Sequence, residues 1–508
     1  MRRLLLLLLA LLGAPFWATS AAADDIGATA RGVVRVVTIA VVDGQVVGFG
    51  HGSGVAIAPN RIVTNAHVME LAERYPDNVV IGVVPSEGDK SYQGRVVAYD
   101  AKRDLALIEF AGARLPAAAL YTGPVSEGDP VVALGYPGNV DLATAQSAAD
   151  YIRPTSPVRS EGVFSGRRSL TGIEVLLHTA SIARGNSGGP LLDRCGRVIG
   201  INSAITRGEE GDGSFGFAIA DTELSAFLRE AKQPYASVGT ACTSIEERLR
   251  DDSAADVRAR SDALTSQRDA ATRAAMGREE ALARARETAQ TRRENVMGFA
   301  GLLLVLGAMG IGAAGLFAVQ GQGQGQRQRR RTIWAASLGG LVMVVAMLVF
   351  VLRPKGEPAV PPPPAAISQV VPNAPLGKLT CVFQPERSRV TVSPTSDVAL
   401  HWGRSGCGGG VQYLPTGDRW ERVVVPDGEQ TVSVVAFDPL TRRYTDTRYM
   451  LGAQAMAQAR KLQQGQGAAS RCTVDPAAIE RLAQQQSAIR TTLPPLPNEK
   501  LVYSCRTG

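Results

Sequence analysis

The sequence predicts a mainly β chain that begins as an all-β barrel or sandwich region. A charged helical stalk, two membrane-spanning helices and a small, separate β-rich (α+β) domain are expected to follow. Three observations carry this reading. Ten short β-branched runs, broken by Gly, Pro, Asn and Asp, crowd residues 32–220. Two charge-free apolar stretches lie at 296–319 and 332–352. Before the first of them, residues 243–295 alternate Ala, Arg and Glu without a proline.

Taken in order, residues 1–23 read as an export signal: two arginines, an apolar run from Leu4 to Leu12, and small residues at Ala21 and Ala23 before an acidic pair. The first folded domain spans 24–240, and its strand candidates run from GVVRVVTIAVV to SFGFAIA. A helix is expected at DTELSAFLREAK, with Asp221 in its first turn. The stalk, 241–295, has few large apolar side chains, and Ile245, Leu249, Val257, Leu264 and Leu282 keep no sustained heptad, so it reads as a solvated helix. About 20 apolar residues at 1.5 Å each cross a hydrocarbon layer of roughly 30 Å, which makes 296–319 and 332–352 transmembrane helices. The Gln/Gly/Arg loop 320–331 is then cytoplasmic, because the export signal sends 24–295 across and the spans bring the chain in and out again. Arginines at 284, 286, 292 and 293 nearly balance those of the loop, so the signal decides the orientation. A Pro-rich linker, 353–377, leads to the final domain, 378–508, with alternating strands and two Ala/Gln-rich helical stretches.

Composition narrows the function. The 508-residue chain allows two or three domains. Its net charge of +7 is carried mostly by arginine, but with 5% aromatic residues it has little for stacking nucleic-acid bases. All six cysteines fall in segments placed outside the cytoplasm, where an even number favours disulfides. Four lie in the last domain. Strand-like KLTCVF and KLVYSC at its two ends favour Cys381 with Cys505, and Cys195 with Cys242 would staple the end of the first domain to its body. No C-x-x-C or H-x-x-H spacing points to a metal, and no cofactor is called for.

The chemistry is carried by SIARGNSGGPLLD, which sets Ser187 among glycines. TNAHV places His67 at the end of a strand and DLALIEF places Asp104 at the start of another, giving the chain order His, Asp, Ser. Acyl transfer needs an imidazole to take the serine proton, a carboxylate to hold that ring, and N–H donors aimed at the developing oxyanion. Gly185 and Ser187 itself could supply those donors.

Together GSGVAIAPNRIVTNAHV, DLALIEF, RGNSGGPLLD, GRVIGINSAI and FGFAIA resemble the chymotrypsin-fold serine proteases, most closely the bacterial HtrA/Deg branch, over roughly residues 30–228. The resemblance implies a chymotrypsin-like double β-barrel with its site between the barrels. His67 is then the general base, Asp104 its orienting acid, Ser187 the nucleophile, and Gly185 with Ser187 the oxyanion hole. It also implies a substrate pocket lined by Ser181, Ile182, Ser203, Ala204 and Ile205, none acidic, which disfavours cleavage after Lys or Arg. Asn186 stands where digestive members carry an acid that pairs with a new N-terminus, so activation by trimming is not expected. No segment resembling a PDZ domain follows, and trimerisation does not carry over.

Other candidates are weaker. His51 and Ser53 are strand neighbours with structural roles, His178 is a strand residue near the cleft, and Asp100 sits in a turn. The sequence therefore predicts a serine endopeptidase of protein or peptide substrates, held on the periplasmic side of a bacterial inner membrane. The rival reading is a catalytically silent scaffold or sensor whose last domain binds a partner protein.

Overall fold

The computed structural model describes residues 24–206, 214–320, 326–352, 375–464 and 471–508. The export signal, most of the Pro-rich linker and the first part of the loop between the apolar helices lie outside the described residues. The chain forms two compact units, Met1–Arg260 together with Val370–Gly508, and Ser261–Gln369.

In the first unit, a short helix α1 (Asp25–Ala30) is capped by the Asp24 carboxylate, which accepts from Gly27 N at 2.9 Å. Strands β1 (Val33–Val42), β2 (Gln45–Ala58), β3 (Arg61–Thr64), β4 (Val79–Pro85), β5 (Tyr92–Asp100) and β6 (Leu105–Phe110) close into a barrel in the order β1-β2-β3-β6-β5-β4. Its interior is aliphatic, with Val34, Val36, Ile62, Val83 and Ile108 fully buried. Between β3 and β4 runs helix α2 (Ala66–Arg74), which buries Ala66, Met69 and Ala72 at helical spacing.

The second barrel follows β7 (Leu120–Tyr121). Strands β8 (Pro130–Gly135), β9 (Val158–Leu170), β10 (Ile173–His178), β11 (Pro190–Leu192), β12 (Val198–Ile205) and β13 (Gly216–Ala220) run in the order β11-β8-β9-β10-β13-β12, and a β11–β12 pairing closes the ring. Helix α3 (Gly138–Thr144) lies in the β8–β9 connection, and α4 (Asp221–Glu230) follows β13. A shared core of Ile57, Leu105, Leu134, Tyr136, Ile173 and Ile201 draws on strands from both barrels and fixes them against one another.

After β14 (Ser237–Val238) comes helix α5 (Ile245–Gln320), continuous where the sequence suggested a stalk and a separate span. Its opening turns belong to the first unit. There Asp252, with no exposed side-chain area, meets Arg387 at 2.6 Å and also pairs with Lys500. Burial pushes its carboxyl up, but Lys500 and Arg387 hold it below the usual carboxylate range.

The C-terminal segment is a nine-stranded sheet. Its central strands are β15 (Gly377–Phe383), β23 (Glu499–Thr507), β22 (Arg443–Met450) and β21 (Thr431–Asp438). It also includes β16 (Val398–Trp402), β17 (Cys407–Gly408), β18 (Val411–Gln412), β19 (Leu414–Thr416) and β20 (Arg419–Val424), in the order β18-β17-β16-β15-β23-β22-β21-β20-β19. Helices α7 (Ala453–Gln464) and α8 (Pro476–Arg490) account for the two Ala/Gln-rich stretches. The alternating segment SRVTVS, residues 388–393, reads as a strand in the sequence but forms only an isolated β-bridge, Arg389 to Lys500. The disulfides are Cys195–Cys242, Cys381–Cys505 and Cys407–Cys472.

In the second unit, α5 and α6 (Gln326–Val351) are both long and apolar enough to cross a membrane. Their backbones approach at glycines: a Cβ on Gly307 would stand 2.6 Å from Met343 Cγ and 2.9 Å from the Gly339 carbonyl oxygen. Helix α6 takes in the arginines at 329–331, so the connecting loop is shorter than the expected 320–331.

Candidate active site

His67 occupies the first turn of α2, not a strand end as the sequence suggested. Asn65 stays extended as its N-cap, so the chain leaves β3 and turns into the helix just before the imidazole. Asp104 ends the β5–β6 turn in a left-handed conformation, φ +54°, and its carbonyl accepts from Asn65 Nδ2 at 2.8 Å. That turn brings its carboxylate to His67: Nδ1 lies 2.9 Å from Oδ1 and 3.0 Å from Oδ2, while the backbone N–H of His67 donates to Oδ1 at 3.0 Å. Ser203 Oγ donates to Asp104 Oδ2 at 2.6 Å. With Nδ1 on the carboxylate, Nε2 is the nitrogen left for another partner. Asp100 is taken up by Arg103, whose Nη1 donates to it at 2.7 Å.

Ser187, Gly185, Ile182, Ser203, Ala204 and Ile205 share one cleft of about 850 Å³ with His67. Ser181 is exposed and not part of this lining. The Ser187 hydroxyl donates to the Ser203 carbonyl at 3.1 Å, and among the described residues no hydrogen bond joins it to His67.

The loop before Ser187 is set by its carbonyls. Arg184 O accepts from Gly138 N at 2.7 Å, and Asn186 O accepts from Gly189 N at 3.0 Å. Across a trans peptide the N–H points opposite its carbonyl, so the N–H groups of Gly185 and Ser187 face away from those anchors. Among the described residues neither donates to a protein group. Gly185 has φ +97°, and a Cβ there would stand 2.3 Å from Tyr136 O, so only glycine fits. Ser53, fully buried, donates from Oγ to Gly185 O at 2.7 Å and accepts from Tyr136 N at 2.9 Å. Sequence reasoning gave Ser53 no part in this loop, because only the fold brings residues 53 and 185 together.

His178 lies behind the cleft wall, opposite Gly216 on β13, with no exposed surface. Burial pushes its imidazole down to about 4, against the smaller opposing effects of Asn202 and the Ala180 backbone. Asn186 is buried, and its side chain packs against Gly135. Among the described residues no cluster of His, Cys, Asp and Glu is arranged to hold a metal.

Residues 52–201 match the trypsin-like peptidase domain. The chain is 32% identical over 225 residues to serine protease Rv3671c of Mycobacterium tuberculosis, covering 43% of this chain and 51% of that one. It is 32% identical over 185 residues to the magnetosome formation protease MamE of Magnetospirillum gryphiswaldense, covering 35% and 22%. Similarity to a "Probable periplasmic serine endoprotease DegP-like" of Chlamydia pneumoniae is 32% over 209 residues, covering 39% and 38%. Among solved structures, an HtrA-type protease with a tripeptide matches at 26% identity and TM-score 0.33, covering 41% of this chain and 62% of that one. The chain spans about half the length, or less, of these curated relatives.

Proposed function

We propose, for a chain whose residues 52–201 are a trypsin-like peptidase domain with HtrA-like relatives, that it is a serine endopeptidase working through an acyl-enzyme. The observation that carries this is the His67–Asp104 pair, with Nδ1 2.9 Å from the carboxylate and His67 lining one cleft with Ser187. Ser187 Oγ swings from the Ser203 carbonyl toward His67, gives its proton to Nε2 and attacks the scissile carbonyl. Asp104 holds the ring and stabilises the imidazolium. The N–H groups of Gly185 and Ser187 receive the oxyanion, the protonated imidazole releases the amine, and water repeats the sequence on the acyl-enzyme. Ile182, Ala204 and Ile205 on the wall suit small apolar side chains.

The same reading places the enzyme on the outer side of a bacterial inner membrane, acting on envelope proteins. Two crossings return a chain to the side it left, and Val370–Gly508 belongs to the same compact unit as Met1–Arg260. A silent scaffold is the second reading, favoured by the Ser187 hydroxyl being directed at the Ser203 carbonyl. A fluorophosphonate probe separates them in the detergent-solubilised chain. Labelling of the wild type but not of Ser187→Ala supports hydrolysis, whereas an unlabelled, folded wild type supports the scaffold.

A further inference from the structure

Against the loop that carries Gly185 lies a polar cluster unused by the mechanism above, with Arg35 and Asp141 buried and His51 partly exposed on the cleft wall. His51 on β2 faces Asp141 on α3, Nε2 to Oδ2 at 3.2 Å. Neither atom makes a hydrogen bond among the described residues, so each is the other's polar neighbour at ion-pair distance. The other carboxylate oxygen is held by Arg35 of β1, whose Nη2 donates to Oδ1 at 2.7 Å. Arg35 in turn donates from Nη1 to the Tyr151 carbonyl at 3.2 Å, and its guanidinium lies 4.6 Å from the centre of the Tyr136 ring. Asp141 is therefore fixed from one side by a cation that is itself fixed.

The cluster touches the loop at two points. Gly138, the first residue of the helix that carries Asp141, donates its N–H to Arg184 O at 2.7 Å, the contact that turns the next N–H toward the cleft. His51 Nε2 stands 2.9 Å from where a Cβ on Gly185 would be, so the imidazole packs directly against that residue's Cα. A glycine at φ +97° is held there by its surroundings, since nothing in its own side chain opposes a peptide flip.

We propose that His51 and Asp141 are positioning residues for the oxyanion hole: the Arg35–Asp141–His51 chain braces the back of Gly185 and keeps its N–H aimed at the developing charge. The proposal rests on Gly185 being an oxyanion donor. Its effect belongs to the transition state, because a ground-state peptide leans far less on that donor than the tetrahedral intermediate does.

The test uses the full-length, detergent-solubilised protein, a small-residue peptide anilide as substrate and the matching peptide aldehyde as inhibitor, which loads the oxyanion hole. His51→Ala and Asp141→Ala are expected to lower kcat ~10- to 100-fold and weaken the aldehyde by a similar factor, with KM within about 3-fold. His51→Gln keeps a donor facing Asp141 and recovers most of the rate. His51→Leu fills the volume without a donor and does not, so this pair decides the matter even if the alanine variants fold poorly. Equal rates in His51→Leu and wild type, or losses shared evenly by KM and kcat, would overturn the brace. A wild type that no fluorophosphonate labels would instead remove the hydrolytic reading itself.

Discussion

Asp104 accepts three hydrogen bonds that the proposed chemistry needs, from the His67 ring, the His67 backbone and Ser203 Oγ. Asp104→Asn places an amide among donors and favours the wrong imidazole tautomer, so kcat should fall roughly 10³- to 10⁴-fold with the fold intact, read by single-turnover kinetics. Ser203→Ala removes one charge-assisted bond that water can partly replace. A loss of kcat of roughly 10-fold with KM little changed is expected. His178 makes a prediction about stability. Its folded-state value near 4 lies below the ordinary imidazole value near 6.5, so the unfolded chain binds more protons between them. Stability is therefore full above about pH 6.5 and is lost as the pH falls toward 4, by roughly 3 kcal/mol for this one group. Urea titrations at pH 7.5 and 5 should show a smaller difference in His178→Leu than in the wild type; an equal difference would rule this out.

At the level of elements, strands with buried β-branched runs were legible from sequence, and those less so had a physical reason. Val158–Leu170, the longest strand of the second barrel, reads VRSEGVFSGRRSL, and its partly exposed pattern hides the apolar alternation. Arg443–Met450 was missed for the same reason: RYTDTRYM is polar, yet it pairs on both sides within the sheet. His67 was assigned to a strand because TNAHV is β-like, whereas Met69 and Ala72 downstream carry the helical spacing that wins. Of the site, the residue types were readable in motifs, but Ser53 acts through a contact between the two barrels, and Asn65 and Gly138 through contacts that each barrel makes between segments distant in sequence. The Gly185 loop offers a sharp check. Gly185→Ala must abandon φ +97° or collide with Tyr136 O, and kcat should drop on the order of 10²- to 10³-fold while circular dichroism stays the same.

Over the whole molecule, the first unit is joined from both ends of the sequence. Arg389 donates from Nη1 to Asp25 Oδ1 at 3.0 Å and to Asn498 O at 2.7 Å. Thr391 Oγ1 reaches Cys195 O at 3.0 Å, and Ala119 N reaches Thr391 O at 2.9 Å. Arg389→Met leaves the buried Asp25 without its partner and should cost roughly 3–5 kcal/mol, seen as a lower melting temperature than in Asp25→Asn/Arg389→Met. Topology gives another expectation: a reporter inserted at Gln324 should be cytoplasmic and one fused after Gly508 extracytoplasmic. The reverse pattern would overturn the proposed orientation.

The position of the strand Glu499–Thr507 between Gly377–Phe383 and Arg443–Met450 has a consequence for biogenesis. A ribosome delivers that strand after both of its neighbours and after the two apolar helices, so the sheet waits open in its middle until codon 507 has been read and exported. Messages cut short before codon 499 should yield a nascent product with both barrels formed and a gaping, sticky second half, which a cell has every reason to degrade.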